Sequence, residues 1–339
     1  ILPGLQIELS WLSKFDFNRH RIATQLEGAA IPSYSNITEL ETFGRSFLGF
    51  GSLEEVERLY RLNPDTNTSE ARQNALNKAF ADGLEWLNFW EDEALRRVMP
   101  NINYALRWSG LEQLPFFKGI LRSGSLESKY QGRYTATRRF EAGVETIDQQ
   151  AVTSAFEPLL GVTAQFDDKF VEGVMSGNMR YGYKSSLGIS QAQQGVVQSE
   201  VTHDFTMQVS YTRRGFELPK IGGVGLLKLL GIDFEFTNDV EFALQATYRN
   251  MLRSSINVLA PDVPATGASD AATLAARRID GTVNILLEPS MRYTISKQVT
   301  ARLFFKYEAN LTEGAVAPGS STTQVGVDLR LNLSGGRSF

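Results

Sequence analysis

The sequence predicts a mainly all-β fold: an antiparallel transmembrane β-barrel segment with a helical insert near its N-terminal end. Three observations predict this fold. Apolar and polar residues alternate through most of residues 100–339, the alternating runs are long, and the connections between runs are short and long in turn. A soluble β-sandwich alternates in the same way, so the lengths of the runs and connections are what favour a membrane protein.

The alternation indicates about nine strands from Asn101 to the C-terminus. Side chains in a strand point to opposite faces in turn, so apolar residues at every second position create one apolar face. Strands of soluble proteins cluster near ~5–6 residues, whereas membrane strands need ~9–11, and several runs here reach or exceed that length. The clearest runs are 201–211, 232–248, 279–295, 299–307 and 325–333.

Two aromatic residues on one run have the spacing that two membrane interfaces would require. Phe156 and Phe166 share a face and lie ten positions apart, which is ~34 Å along a strand at ~3.4 Å per residue. A strand tilt of ~40° reduces this length to ~26 Å, close to the ~25 Å apolar band of outer-membrane barrels.

The connections also follow the habit of such barrels, in which short periplasmic turns alternate with long extracellular loops. Residues 258–275 and 311–322 form long connections, whereas 167–169 and 296–298 are short. Two connections depart from this rule because they are long where short turns are expected. They are residues 110–120 and 215–231.

The first hundred residues follow another pattern. Residues 1–51 form a mixed segment with one expected strand at 5–11, and residues 52–99 are predicted to be a helical insert. Ser52 is a plausible N-cap for a first helix, and a second helix is expected from Ser69 to the proline at position 100. If the C-terminus is periplasmic, the odd number of strands that follows the insert places the start of the Asn101 strand outside the cell. The insert is then expected to be an extracellular cap or an element folded into the lumen.

Composition excludes several classes of protein. The formal charge of −4 argues against a nucleic-acid binder, and the absence of cysteine excludes thiolate chemistry. The chain starts at Ile1 without a leader pattern, so we expect a mature product or a piece of something longer. Nine strands and the one at 5–11 would make ten, enough for a small closed barrel; a fragment would need further strands to cover its edges.

No catalytic, cofactor-binding or metal site is predicted, and we expect no enzymatic activity. His203 falls on the apolar face of its expected strand, so a packing role is the better interpretation. His20 lies among charged residues, so we expect it to face solvent. The acidic residues of the insert lack the spacing of a calcium loop and indicate a solvated helix face; they are Glu54, Glu55, Glu57, Glu91, Asp92 and Glu93. The pairs Arg138-Arg139 and Arg277-Arg278 indicate rim charge or contacts with lipid phosphates.

Several stretches resemble one known family. They are PNINYALRWSGLEQLPFFKGILRSGSLESKYQGRYT from Pro100, FEPLLGVTAQFDDKF from Phe156, SGNMRYGYKSSLGIS from Ser176, RYTISKQVTARLFFKYEANL from Arg292 and TTQVGVDLRLNLS from Thr322. Together they resemble the C-terminal barrel of the SprA (Sov) family, the outer-membrane translocons of the type IX secretion system. The resemblance covers roughly residues 98–335.

The resemblance implies that the chain is part of a giant outer-membrane barrel of a Bacteroidota-like Gram-negative bacterium, with a wide pore for protein secretion. It also implies the partners: outer-membrane lipid, secreted cargo proteins, a smaller outer-membrane barrel, a periplasmic plug and the rest of the barrel. No cofactor and no nucleic acid is implied. A self-contained small porin or lipid-handling barrel is the alternative, and a soluble β-rich binding domain is the third possibility.

Overall fold

The computed structural model describes residues 4–24, 33–62, 69–86, 102–141, 144–190, 196–215, 236–257, 277–296, 299–313 and 319–331. The first part of this described chain contains β1 (Leu5–Ser10), β2 (Ser13–Thr24), β3 (Ser33–Ser46), β4 (Gly49–Gly51), α1 (Leu53–Leu62), α2 (Ser69–Asp82) and β5 (Leu84–Trp86). Nine strands follow in the described residues, in agreement with the approximate number that the alternation indicates. They are β6 (Asn103–Ser109), β7 (Leu121–Glu141), β8 (Val144–Phe166), β9 (Val174–Ser190), β10 (Val196–Arg213), β11 (Phe236–Asn257), β12 (Arg277–Ser296), β13 (Val299–Glu313) and β14 (Ser320–Leu331).

The fold is all-β with an antiparallel sheet, as the sequence predicts. Strands β6 to β14 pair in sequence order, and β1, β2 and β3 complete a twelve-stranded sheet. Among the described strands, β14 pairs only with β13, and β1 and β2 pair only with β6 and β3. The sheet is therefore open and does not close into a barrel within the described residues.

One position in the order of strands across the sheet, called a column below, is occupied by two separate strands. The first half of β7 pairs with β6 at residues 125–130, and the second half pairs with β3 at residues 133–141. Strands β1 and β2 then pair with β6 and β3, respectively, and form the next column. The chain therefore leaves the sheet in mid-column after β3 and re-enters it at β6.

The segment that leaves the sheet is called the insert below; it comprises residues 47–62 and 69–86. Its short strands β4 and β5 pair with each other, and its two helices pack together. The N-cap prediction is confirmed, since the Glu55 N–H lies 3.4 Å from the Ser52 Oγ that accepts it.

Two expectations need correction. The second helix ends at Asp82 rather than near Pro100, because Gly83 follows and Leu84–Trp86 pairs with Gly49–Gly51. Residues 1–51 contain three further strands, β2, β3 and β4, besides the expected one. The strand that includes the 232–248 run is described from Phe236 and continues to Asn257. The predicted helical residues 87–99 lie outside the described residues.

Cross-strand register sorts the side chains onto two faces, because directly opposed residues of an antiparallel pair share a face. One row runs through Phe156, Tyr183, His203, Asn250 and Val283 on β8 to β12. The face of this row is the apolar face: it holds even positions from 150 to 166 of β8, even positions of β11 from Val240 onward, and odd positions of β9, β10, β12, β13 and β14. The opposite side is the polar face.

Candidate functional surfaces

The apolar face leaves large apolar side chains open to their surroundings. Leu303 on β13 is 46% exposed, and Val325 and Val327 on the edge strand β14 are each 71% exposed. Soluble proteins rarely leave a continuous apolar surface of this kind uncovered. The other exposed members on strands of this face are Ile7, Leu9, Phe15, Phe17, Leu160, Met179, Phe242, Tyr248, Leu252, Ile279, Leu287, Phe305, Leu311 and Leu329.

A first aromatic row crosses the apolar face. Tyr130, Phe156, Tyr183 and His203 lie directly opposite one another on β7 to β10. Phe50 of the insert joins this row, with its ring centroid 6.1 Å from those of both Phe156 and Tyr183. These rings lie where the insert ends and the uncovered part of the apolar face begins.

A second aromatic row lies further along the same strands, towards the end at which β14 finishes. Tyr211 and Phe242 oppose each other on β10 and β11, with ring centroids 6.2 Å apart. Phe166 ends β8 at the corresponding level, where it stacks with Phe170 of the following turn at 6.3 Å. Phe156 and Phe166 therefore share the apolar face, as the sequence predicts.

The insert covers the other end of the apolar face. Its buried core includes Phe47, Val56, Leu76 and Phe80, each with no exposed surface. These side chains cluster with apolar-face residues of four neighbouring strands, namely Val152, Leu187, Ile189, Val197 and Ile256. A lumen element would be expected on the polar face, whereas the described insert packs against the apolar face; its position in a closed barrel stays a prediction.

The Tyr130 hydroxyl fastens the beginning of the insert to the sheet. It donates to the Phe47 carbonyl at 2.9 Å and accepts the Gly49 N–H at 3.2 Å. The Ser154 hydroxyl lies 3.4 Å away and itself donates to the Gly49 carbonyl. Tyr130 is only 1% exposed, so these polar groups satisfy one another without water.

The break in the β3–β6 column is closed by a glycine and an asparagine. The Phe47 N–H donates to the Gly132 carbonyl at 3.0 Å, and the Gly132 N–H donates to the Asn103 Oδ1 at 2.9 Å. A Cβ at Gly132 would collide with the Phe47 carbonyl oxygen. The absence of a side chain at Gly132 therefore allows the insert to leave the sheet at this point.

A second polar link joins helix α2 to β8. The Gln150 side-chain amide donates to the Asn77 Oδ1 at 3.3 Å, and the Tyr134 hydroxyl donates to the Gln150 Oε1 at 3.0 Å. Gln150 and Asn77 are 1% and 5% exposed, respectively. A buried amide is costly unless it is paired, and the Gln150 amide is paired at both its oxygen and its nitrogen, so the link favours one orientation of the insert.

The polar face carries charges of both signs that pair across strands. Glu200 pairs with Arg253 at 2.8 Å and Asp204 with Arg249 at 3.0 Å; in both pairs the residues oppose each other directly on β10 and β11. Further pairs on this face are Glu127–Arg180, Glu241–Arg292 and Glu288–Arg302. Exposed pairs contribute at most about 1 kcal/mol each, so they shape the surface charge more than the stability.

Two neighbouring shallow grooves lie on the polar face and share Glu157, Pro158 and Arg180 in their linings. Gly161 separates Glu127 from Arg180, and their ion pair reaches across β8 over it at 2.8 Å. The larger groove has a volume of about 460 Å³ and extends past Gly182. Because basic and acidic residues both line it, the groove does not select ligands of one charge. Its charged residues are Glu157, Arg180, Lys184, Glu200, Asp204 and Arg249.

The two histidines lie in different strands of the described structure. His203 lies in the first aromatic row, where its Nδ1 is 2.8 Å from the Tyr181 hydroxyl. This contact fits the expected packing role. His20 lies in β2.

Two acidic residues of α1 pair with arginines of the same helix. Glu55 pairs with Arg58 and Glu57 with Arg61, and the hydrogen bond from Arg58 lowers the pKa of Glu55 below its usual range. In the described part of the chain, no group of three or more histidine or acidic residues is placed to hold a metal ion. The predicted residues Glu91, Asp92 and Glu93 lie outside that part.

The two pairs of adjacent arginines, Arg138-Arg139 and Arg277-Arg278, lie on different strands, β7 and β12. Arg139 pairs with Asp148 at 3.1 Å near the β7–β8 connection, and Arg138 lies opposite Ile147. Arg277 and Arg278 begin β12.

No protein-family model matches the chain, and no curated protein matches it. None of the described helices is long and apolar enough to span a membrane.

Proposed function

We propose that this chain is part of a large outer-membrane β-barrel that conducts secreted proteins to the cell surface, as the type IX secretion translocons do. The observation that carries the proposal is a long-stranded sheet with one exposed apolar face and one face of paired charges. The proposal comprises a membrane position, an incomplete barrel wall and a wide polar pore.

The membrane position follows from the uncovered apolar face. Between the two aromatic rows lie eight positions on β10, from His203 to Tyr211. At ~3.4 Å per residue this is ~27 Å along the strand, or ~21 Å after a tilt of ~40°. On β8 the register shift between Phe156 and Leu160 shortens the Phe156–Phe166 spacing to about the same length, since Phe156 and Gln165 are paired with Tyr183 and Ser176 of β9. The spacing is therefore somewhat shorter than the ~25 Å apolar band of outer-membrane barrels.

The incomplete wall follows from the two free edges. A strand edge in hydrocarbon leaves N–H and C=O groups without hydrogen bonds, and each such group costs several kcal/mol. The described sheet already has ten columns and still leaves β14 on one side and β1 with β2 on the other. We propose that further strands complete the wall, which would give a barrel wider than ten strands enclose.

The polar face supports the proposal of a water-filled pore. Mixed and paired charges suit a water-filled lumen and do not retain polypeptides of one charge. The resemblance of residues 98–335 to the SprA family supports the same proposal. It also implies outer-membrane lipid, secreted cargo, a smaller barrel and a periplasmic plug as partners.

Photo-crosslinking from the two faces tests the proposal. A benzophenone amino acid replaces Thr206 or Thr247 on the polar face, and Ala246 or Met207 on the apolar face serves as the matched neighbour. In cells that are secreting, we expect cargo proteins to crosslink to positions 206 and 247 and lipid to crosslink to 207 and 246.

Two results would contradict the proposal in different ways. Crosslinks to lipid from 207 and 246 without cargo at 206 and 247, together with altered permeation of small solutes, would indicate a porin instead. Lipid crosslinks from neither face would indicate a protein outside the membrane.

A further inference from the structure

We infer that the insert lies outside the barrel wall, on its lipid-facing side, and rests on the outer leaflet of the membrane. This inference rests on the proposed function, because it requires the apolar face to meet lipid. It adds an interaction surface, and it places the insert neither in the lumen nor over the pore.

The first step is the division of the apolar face into a covered and a bare part. Val152 and Leu187 lie beneath the insert with 1% exposure each, and Val197 has none. Further along the neighbouring strands, Leu160 and Met179 are 40% and 36% exposed. The insert therefore shields apolar rows at one end of the sheet and leaves the others for a different apolar environment.

The second step is the length of the strands. Strands β8 and β9 have 23 and 17 residues, whereas ~9–11 residues cross a membrane. The bare rows between the two aromatic rows already account for one crossing. The covered rows must therefore extend beyond the hydrocarbon, where their apolar side chains need another cover, and the insert supplies it.

The third step is the chemistry at the margin of the insert. Phe50 packs against Phe156 and Tyr183, and the Tyr181 hydroxyl lies 2.8 Å from His203. Aromatic rings with polar groups prefer the level of lipid headgroups. This margin is therefore the place where the bilayer ends and the insert begins.

The fourth step is the polarity of the insert itself. Glu54, Arg58 and Lys78 are exposed on its helices, and charged side chains of this kind are costly in hydrocarbon. The insert therefore fits the hydrated headgroup region of the outer leaflet and not the bilayer core. Its end of the sheet is opposite to the end at which β14 finishes, so a periplasmic C-terminus places it outside the cell.

A pair of disulfide variants in the full-length protein tests the position of the insert. A Cβ at Gly51 would lie 3.0 Å from the Leu187 Cβ, so a small outward shift brings the two Cβ atoms to the ~3.5–4.5 Å of a disulfide. The chain has no cysteine of its own in these residues. We expect Gly51→Cys with Leu187→Cys to form a disulfide on intact cells, and Gly51→Cys with Ser186→Cys, on the opposite face, to remain reduced.

A second pair of cysteine substitutions provides a test that does not depend on Leu187→Cys, which could reduce the amount of folded protein. Asn77→Cys and Gln150→Cys replace side chains in contact at 3.3 Å, and a short bismaleimide would join them. Crosslinked peptides are identified by mass spectrometry. A disulfide to position 186, or the failure of both the 51–187 and the 77–150 links in folded protein, would overturn the inference.

Spin labels distinguish this failure from that of the proposed function. A label at position 207 is expected to collide with oxygen dissolved in lipid, and a label at position 78 with a water-soluble nickel chelate. If position 207 meets lipid but the insert links fail, only the inference is wrong. If position 207 meets water, the membrane position and the inference are both wrong.

Discussion

Replacing Tyr130 with phenylalanine should loosen the insert from the sheet without changing the sheet itself. The hydroxyl that is lost accepts the Gly49 N–H and donates to the Phe47 carbonyl, and the site is almost fully buried. A buried donor without an acceptor costs about 1–3 kcal/mol. Since about 1.4 kcal/mol is a factor of ten in an equilibrium constant, local opening of the insert should increase roughly 5- to 140-fold.

Hydrogen exchange of the purified protein measures this opening directly. Amides of the insert around Gly49 and α1 should exchange faster by the stated factor, while amides of β12 and β13 should be unchanged because opening is local. Tyr183→Phe is the matched control, since it removes a hydroxyl but keeps the ring contacts with Phe50 and Phe156. Exchange within twofold of wild type in Tyr130→Phe would refute the fastening role of this hydroxyl.

Three further substitutions test other parts of the account. Gly132→Ala should prevent the insert from leaving the sheet and lower the folded yield, measured by protease resistance, whereas Gly188→Ala, where a Cβ has ordinary contacts, should fold normally. Ala246→Arg, halfway between the two aromatic rows on the bare apolar face, should cost about 2–4 kcal/mol of folding free energy in lipid vesicles, and Gln245→Arg on the polar face less than about 1; equal costs would contradict the assignment of faces. Arg253→Gln should change that free energy by at most about 1 kcal/mol, and a larger loss would show that the exposed pair has a structural role.

The faces of the sheet could be predicted from the sequence because period-two alternation is a local property. The sharing of one face by Phe156 and Phe166, and the apolar parity of His203, required only the spacing of residues within a strand. The N-cap at Ser52 was predictable for the same reason, since cap and helix are adjacent in sequence.

The organisation of the first hundred residues depends on contacts between distant segments. Helix α2 ends at Asp82 because Leu84–Trp86 pairs with Gly49–Gly51, and helix periodicity does not encode that pairing. Strand β3 pairs with the far half of β7, nearly a hundred residues away. An alternating pattern alone does not reveal that one column of the sheet is shared by β3 and β6.

The position of the insert could not be predicted for a related reason. Its apolar helix positions show that it packs on something, but not on which face. The face on which the insert packs is determined by the hydrogen bonds of the Tyr130 hydroxyl and by the Gln150–Asn77 link. The partners in these contacts are 73 or more residues apart in sequence. From the sequence alone we expected the insert to be an extracellular cap or a lumen element. Its contacts with the apolar face support a third position, on the lipid-facing side of the wall.

The mass of the native polypeptide tests the central claim most directly. Outer membranes are extracted with detergent, the intact polypeptide that contains these residues is isolated, and its mass and peptides are measured by mass spectrometry. The proposal of a large secretion barrel predicts peptides from residues 98–335 in a membrane-bound chain of several hundred kilodaltons. A membrane-bound chain near 37.7 kDa would contradict it and would indicate a small barrel that closes by itself.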